Sequence, residues 1–253
     1  MLLKNSLTKN ILSVRDIKFI LNQNNKKFLL VRHGESIWNQ DSKFTGWTNI
    51  PLTENGKKEA VNIANVLRKN NLIPTIIFSS VLNRCIDTSN IIKSKLDRNI
   101  EIHTTWRLNE KHYGTLEGLP RSYIRQIYGD IYTNIIRTNF NIKPPIIKNL
   151  ENDLSNSYSI YKNCYLEKVK NGESKENVLE RLLPYYENDI LYTINDNNIP
   201  LIVTHKHCAR VLMKYLLNLD DEEFENYHLP NKKILVVNLD DNLKYKDHNE
   251  LPY

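Results

Sequence analysis

KFLLVRHGESIWN, residues 27–39, decides how this chain is to be read. Its first five residues form a short continuous apolar run bounded by polar ones, the pattern of a strand buried on both faces in a parallel sheet. The run delivers Arg32, His33 and Gly34. A second run, IPLIVTH at 199–205, ends in the same way on His205. In open α/β sheets ligands gather beyond the carboxyl ends of the strands, so both imidazoles are expected at one rim. Either histidine alone would read as an ordinary, partly buried residue; two strands ending alike carry more weight.

Outward from these strands the pattern alternates. Thr53 caps ENGKKEAVNIANVLRKNN, with Ala60, Ile63, Ala64 and Leu67 on one stripe, and Pro74 then leads into the strand TIIFSS. SVLNRCIDTSNIIKSKL reads as a helix with Cys85, Thr88, Ile91 and Ile92 inward, and IEIHTTWRLN as extended. Ser174 caps SKENVLERLLPYYENDILYTI; after His205 comes the helix CARVLMKYLLNL, and KKILVVNLD closes as an edge strand. The polar stretch 117–166, interrupted by Pro120, Pro144 and Pro145, reads as an insertion with short helices. The expected architecture is a three-layer α/β sandwich with a mainly parallel sheet and helices on both faces. It forms a single domain over 27–253, after an extension over 1–26.

Composition narrows the function classes. Thirty-five Lys and Arg against 29 Asp and Glu leave a net charge of +6, scattered rather than striped, which favours a small anionic substrate over nucleic acid. No apolar run is long enough to span a membrane. Cys85, Cys164 and Cys208 lack metal-ligand spacing and point to a reducing compartment, so a cytoplasmic protein is expected. Residues 1–26 read as a helical extension, because Asp16 breaks the acid-free pattern of a transit peptide. Asn occurs 35 times but Gly only seven, so Gly34, Gly46, Gly114, Gly118 and Gly172 are expected where the backbone needs room or a positive φ.

Gly34 lets the chain turn sharply and bring main-chain N–H groups to an anion, Arg32 offers a forked donor to phosphate oxygens, and His33 has a nucleophilic ring nitrogen. At these residues the chain resembles the histidine phosphatase superfamily, and within it the cofactor-dependent phosphoglycerate mutase branch. The resemblance rests on VRHGESIWN, FTGW (Phe44 to Trp47), LTENGKKEA, SSVLNRCIDT, WRLNEKHYGTLEG, GESKENVLERLLPYY and TH at 204–205, in order over about Lys27 to Asp240. It implies that His33 becomes phosphohistidine, that Arg32, Arg84 and His205 surround the phosphoryl group, and that Glu110 is the acid and base. It also implies that Ser36, Asn39, Thr45, Gly46 and Tyr113 face the substrate. A phosphoryl group in flight spreads charge over three oxygens, which arginines and a second imidazole can stabilise without a metal.

The departures matter as much. Lys206, His207 and Cys208 follow His205 where the branch reads Gly-Asn-Ser, so a lysine stands beside the phosphate site. Arg121, Arg137 and Thr138 replace a lysine and paired arginines, removing one cation from the substrate grip. Asn231 and Lys232 replace Thr-Gly, and the sequence runs 13 residues past Asp240 where the mutases have a longer mobile tail. Loss of a lid and of a cation favours water as the phosphoryl acceptor. The expectation is therefore a metal-independent phosphatase of small phosphorylated metabolites rather than an efficient mutase. The alternative is a mutase dependent on 2,3-bisphosphoglycerate, in which Arg121, Lys206 and Lys232 restore the lost charge; a noncatalytic phospholigand-binding protein stands third. Neither metal nor nucleic acid is expected as a partner. His205, His207 and Cys208 would share a face for metal only if the strand continued. Closed pairing into a homodimer is expected.

Overall fold

A computed structural model describes residues 26–145 and 172–253. The expectations for residues 1–25 and for 146–166 of the proposed insertion fall outside the described residues.

One six-stranded sheet organises the molecule: β1 (Lys27–Arg32), β2 (Ile76–Ser80), β3 (Glu101–Thr105), β4 (Pro200–Thr204), β5 (Lys233–Leu239) and β6 (Tyr245–Pro252), in the spatial order β3-β2-β4-β1-β5-β6. The pairs β3-β2, β2-β4 and β4-β1 are parallel, whereas β5 and β6 run antiparallel. KKILVVNLD is thus an inner strand. The edge is β6, whose polar YKDHNELP gives no apolar run to detect.

Side-chain alternation along β1 makes the three layers. Phe28 and Leu30 enter one core with Leu182 and Val211, contributed by α5 (Lys175–Tyr185) and α6 (Lys206–Leu217). Leu29 and Val31 enter the other with Ile63 and Ile92, from α2 (Glu54–Lys69) and α3 (Asn83–Leu96). Each such buried aliphatic side chain contributes roughly 1.5–3 kcal/mol before entropy is counted. The predicted stripe Ala60, Ile63, Ala64 and Leu67 is fully buried, and the Thr53 hydroxyl accepts from the Gly56 N–H at 3.0 Å as a helix cap. On α3, Cys85, Thr88 and Ile92 are buried while Ile91 is only partly so.

Within 117–166 the described residues form α4 (Arg121–Thr138), two short helical stretches meeting at Gly129, whose φ of 79° and ψ of 166° are non-helical. One helix differs from expectation. The helix after His205 begins at Lys206, so β4 stops at Thr204 and His207 lies on a helix. The remaining short helices are α1 (Ile37–Gln40) and α7 (Asp221–Asn226).

Candidate active site

The register between β1 and β4 pairs Arg32 with Thr204, so the next residue of each strand leaves the sheet side by side. The His33 and His205 rings meet edge to face with centroids 4.9 Å apart. His33 Nδ1–H donates to the Gly34 carbonyl at 2.6 Å, which leaves the Nε2 lone pair unprotonated. Burial, then the Arg32 and Arg84 guanidiniums, holds the His33 ring well below the usual histidine range, which favours the neutral imidazole. Gly34 is required here because a Cβ would stand 2.2 Å from the Gly56 carbonyl oxygen.

His205 is fully buried. Its Nε2 lies 2.9 Å from Ser80 Oγ and 3.2 Å from Cys85 Sγ. It stands behind His33 and does not contribute to the cavity wall among the described residues. Burial and Arg84 hold its pKa well below the ordinary value as well.

His33 faces a cavity of about 50 Å³. Arg32, Arg84, Arg121, Arg137 and Lys206 line it, a concentration of cations around one imidazole. Arg32 Nη2–H donates to Asn39 Oδ1 at 3.0 Å, which sets both side chains on the wall. Arg84 is held by donating to the Thr48 and Gly46 carbonyls at 2.9 and 2.8 Å. Thr45, Gly46 and Tyr113 also reach the cavity. Ser36 does not: its hydroxyl is buried away from both cavities and has no hydrogen-bond partner among the described residues. Lys43, Phe44 and His207 complete the wall; none of them was expected from the sequence to face the substrate, and His207 was weighed only as a metal ligand. Only the helical placement of 206–208 turns His207 inward, where Tyr113 Oη and His207 Nε2 lie 2.9 Å apart.

Glu110 is the carboxyl group on this wall. Burial pushes its pKa up, although the Lys111 and His207 N–H groups donate to Oε1 at 2.8 and 3.2 Å. A carboxyl group held partly protonated can give a proton to a leaving oxygen. Its backbone is pinned: its carbonyl accepts from Trp47 Nε1 at 2.6 Å and from Arg181 Nη2 at 2.9 Å. The Lys111 ammonium points elsewhere, to the Ile136 and Ile142 carbonyls.

Two buried carboxylates build the support. Glu117 accepts from the Trp47, Thr48 and Tyr113 N–H groups, each at 3.0 Å, tying the Thr45–Thr48 turn to the Tyr113 segment. That turn needs Gly46, whose φ is +53° and whose added Cβ would fall 1.8 Å from Glu117 Oε1. Glu173 takes the Arg181 guanidinium on both oxygens, at 2.7 and 3.0 Å.

On the other side of Arg32 and His33 lies a wider cleft of about 300 Å³, reached also by Asn39, Lys206, Lys232 and Tyr253. Among the described residues no group of three or more His, Cys, Asp or Glu side chains is placed to hold a metal ion. His205, His207 and Cys208 do not form one, because the strand ends before them.

Comparison with known proteins agrees with this geometry. A profile for the histidine phosphatase superfamily (branch 1) matches residues 28–156 and 147–249. A 2,3-bisphosphoglycerate-dependent phosphoglycerate mutase of Buchnera aphidicola subsp. Cinara cedri is 40% identical over 225 residues, covering 87% of this chain and 97% of that protein. One of the same name from Parabacteroides distasonis is 37% identical, covering 87% of this chain and 89% of that protein. Among solved structures, Bacillus stearothermophilus YhfR superposes with a TM-score of 0.68 at 22% identity, covering 87% of this chain and 94% of that one. A vanadate complex of mycobacterial glucosyl-3-phosphoglycerate phosphatase gives 0.66 at 20% identity, covering 89% and 98%. At those identities the structural likeness shows the fold.

Proposed function

The chain belongs to the histidine phosphatase superfamily, branch 1, and on that premise we propose that it moves phosphoryl groups of small phosphorylated metabolites through His33, without a metal, chiefly to water. The observation that carries this reading is the neutral His33 imidazole, with Nδ1 committed to a carbonyl, facing a cavity walled by cations and one raised-pKa carboxyl group.

In the first step Nε2 of His33 attacks phosphorus and the bond from phosphorus to the ester oxygen breaks. Glu110 gives its proton to the leaving alcohol. Arg32, Arg84 and the cations opposite take up the charge spread over the equatorial oxygens. In the second step water attacks the phosphohistidine, the P–N bond breaks, Glu110 recovers a proton, and inorganic phosphate leaves. Asn39 orients Arg32, Thr45 and Gly46 shape the wall, Tyr113 contacts substrate, and the neutral His205 ring braces the His33 ring.

Water is favoured as acceptor because the paired arginines of the mutase branch are here Arg137 and Thr138, which leaves one cation fewer to retain a bisphosphorylated intermediate. The second reading, a phosphoglycerate mutase, is favoured by the 40% identity to a protein of that name and by the six cations that could grip a bisphosphate. In that case 2,3-bisphosphoglycerate would supply the priming phosphoryl group, and Arg32, Arg121, Arg137 and Lys206 would hold it. Incubation with 3-phosphoglycerate and catalytic 2,3-bisphosphoglycerate separates the two. Release of free phosphate with slow formation of 2-phosphoglycerate supports the phosphatase; fast interconversion with little free phosphate overturns it. The same reading places the protein in the cytoplasm as a homodimer, the commonest closed assembly, and sedimentation as a monomer would contradict the pairing.

A further inference from the structure

The 300 Å³ cleft beside His33 has no part in the phosphoryl-transfer steps, yet it shares a wall with the smaller cavity through Arg32, His33, Asn39 and Lys206. Its volume is at the lower end of the roughly 300–1,000 Å³ of small-molecule sites. Two lysines on it occupy unfavourable positions. Lys206 is the first residue of the 12-residue helix α6, at the positive end of the helix dipole. Burial, then Arg137, Arg32 and Arg210, disfavours its charge, and among the described residues its ammonium has no hydrogen bond or ion pair. Lys232 has a φ of 52°, the left-handed region where glycine is preferred. Its ammonium meets Glu59 at 3.1 Å but carries two further donors and is largely exposed to the cleft mouth. The Arg32 Nε, on the shared wall, is buried without a partner among the described residues. Ala209, Leu229 and Pro230 add apolar surface, and the Glu35 and Glu59 carboxylates, the latter already facing Lys232, also line the cleft, where Arg32, Lys206, Lys232 and Lys233 outnumber them.

We propose that this cleft receives the organic part of the substrate, with Lys206 and Lys232 taking a second acidic group, so that the enzyme selects phosphomonoesters that carry an acid several bonds from the phosphate. The inference rests on the reading of His33 as phosphoryl acceptor. Once the phosphoryl group occupies the small cavity, the ester oxygen opens toward the larger one, and a chain of more than three carbons extends along its apolar strip to the lysines.

The test compares two open-chain esters of equal length, 6-phosphogluconate, which ends in a carboxylate, and sorbitol 6-phosphate, which is neutral at that end, using the full chain and Lys232→Gly. Glycine suits the backbone conformation at 232, so the fold is kept. The wild-type protein is expected to prefer the acid by roughly tenfold or more in kcat/KM, and Lys232→Gly to bring the ratio close to one. A wild-type ratio near one, a ratio unchanged in the variant, or equal loss on both esters overturns the proposal. Failure to hydrolyse p-nitrophenyl phosphate as well would instead overturn the underlying phosphotransfer reading. Hydrolysis of that compound with neither sugar ester accepted sinks the cleft assignment alone.

Discussion

The His33 ring meets the His205 ring at an interplanar angle of 60°, with both imidazoles buried among arginines. Two imidazolium ions cannot share such a place, and each ring is held neutral by burial first and by the nearby guanidiniums second. The site is therefore stored as concentrated positive charge with neutral rings, and an incoming phosphoryl dianion supplies what is missing.

Stability follows with a definite sign. His33, His205 and His207 all have folded pKa values below the ordinary 6.5, so the unfolded chain binds more protons below that pH. Their contribution is complete above pH 6.5 and is lost as pH falls through 6.5 toward the folded values. The raised Glu110 works in the opposite direction and is outnumbered. Calorimetry between about pH 7.5 and 5.5 should show a falling Tm, and a smaller fall in His205→Asn/His207→Gln; a flat or rising Tm contradicts the argument.

His33→Ala should lower kcat on p-nitrophenyl phosphate by about 10⁴-fold or more and leave no acid-labile, alkali-stable phosphoprotein after a pulse of labelled substrate. Label that persists in the variant would move the nucleophile elsewhere.

Glu110→Gln should cost roughly 10²–10⁴-fold in kcat with an alkyl phosphate, whose leaving oxygen needs a proton, and far less with p-nitrophenyl phosphate. In the wild type the alkyl ester should lose rate as pH rises through the raised Glu110 pKa, and that limb should vanish in the variant. Equal losses on both esters would reduce Glu110 to a structural role.

Glu173→Gln leaves the buried Arg181 guanidinium without its carboxylate, and the His112 N–H that also donates to Glu173 at 2.8 Å loses a charged acceptor. Urea unfolding should register a loss of about 3–5 kcal/mol. A loss below about 1 kcal/mol would show that solvent reaches the pair.

Strands β1, β2 and β4 were legible because a strand covered on both faces must be almost wholly apolar, as KFLLV and PLIVT are. The edge strand β6 was not, because with neighbours on one side only it tolerates Lys246, Asp247 and Glu250. The bounds of α4 were hidden by its own composition, with Tyr128 and Ile131 exposed and Gly129 interrupting its period. Within the site, Arg32, His33 and Gly34 were readable from side-chain chemistry, whereas Arg84 and Glu110 were expected only through the family resemblance. The inward turn of His207 and the withdrawal of His205 behind His33 were not readable, since both depend on β4 ending at Thr204. The Glu173–Arg181 support left no local mark either: its partners gain meaning only when burial removes water.

The pairing of β1 with β4 joins Leu29 to Leu201, stretches far apart along the chain. Such distant contacts form late, after loop closure has been overcome, so competence should arrive in one event near the end of folding. A growing polypeptide leaving the ribosome would carry an inert His33 until the segment around Thr204 had emerged and docked. The cell is thereby spared a half-made phosphotransferase during synthesis.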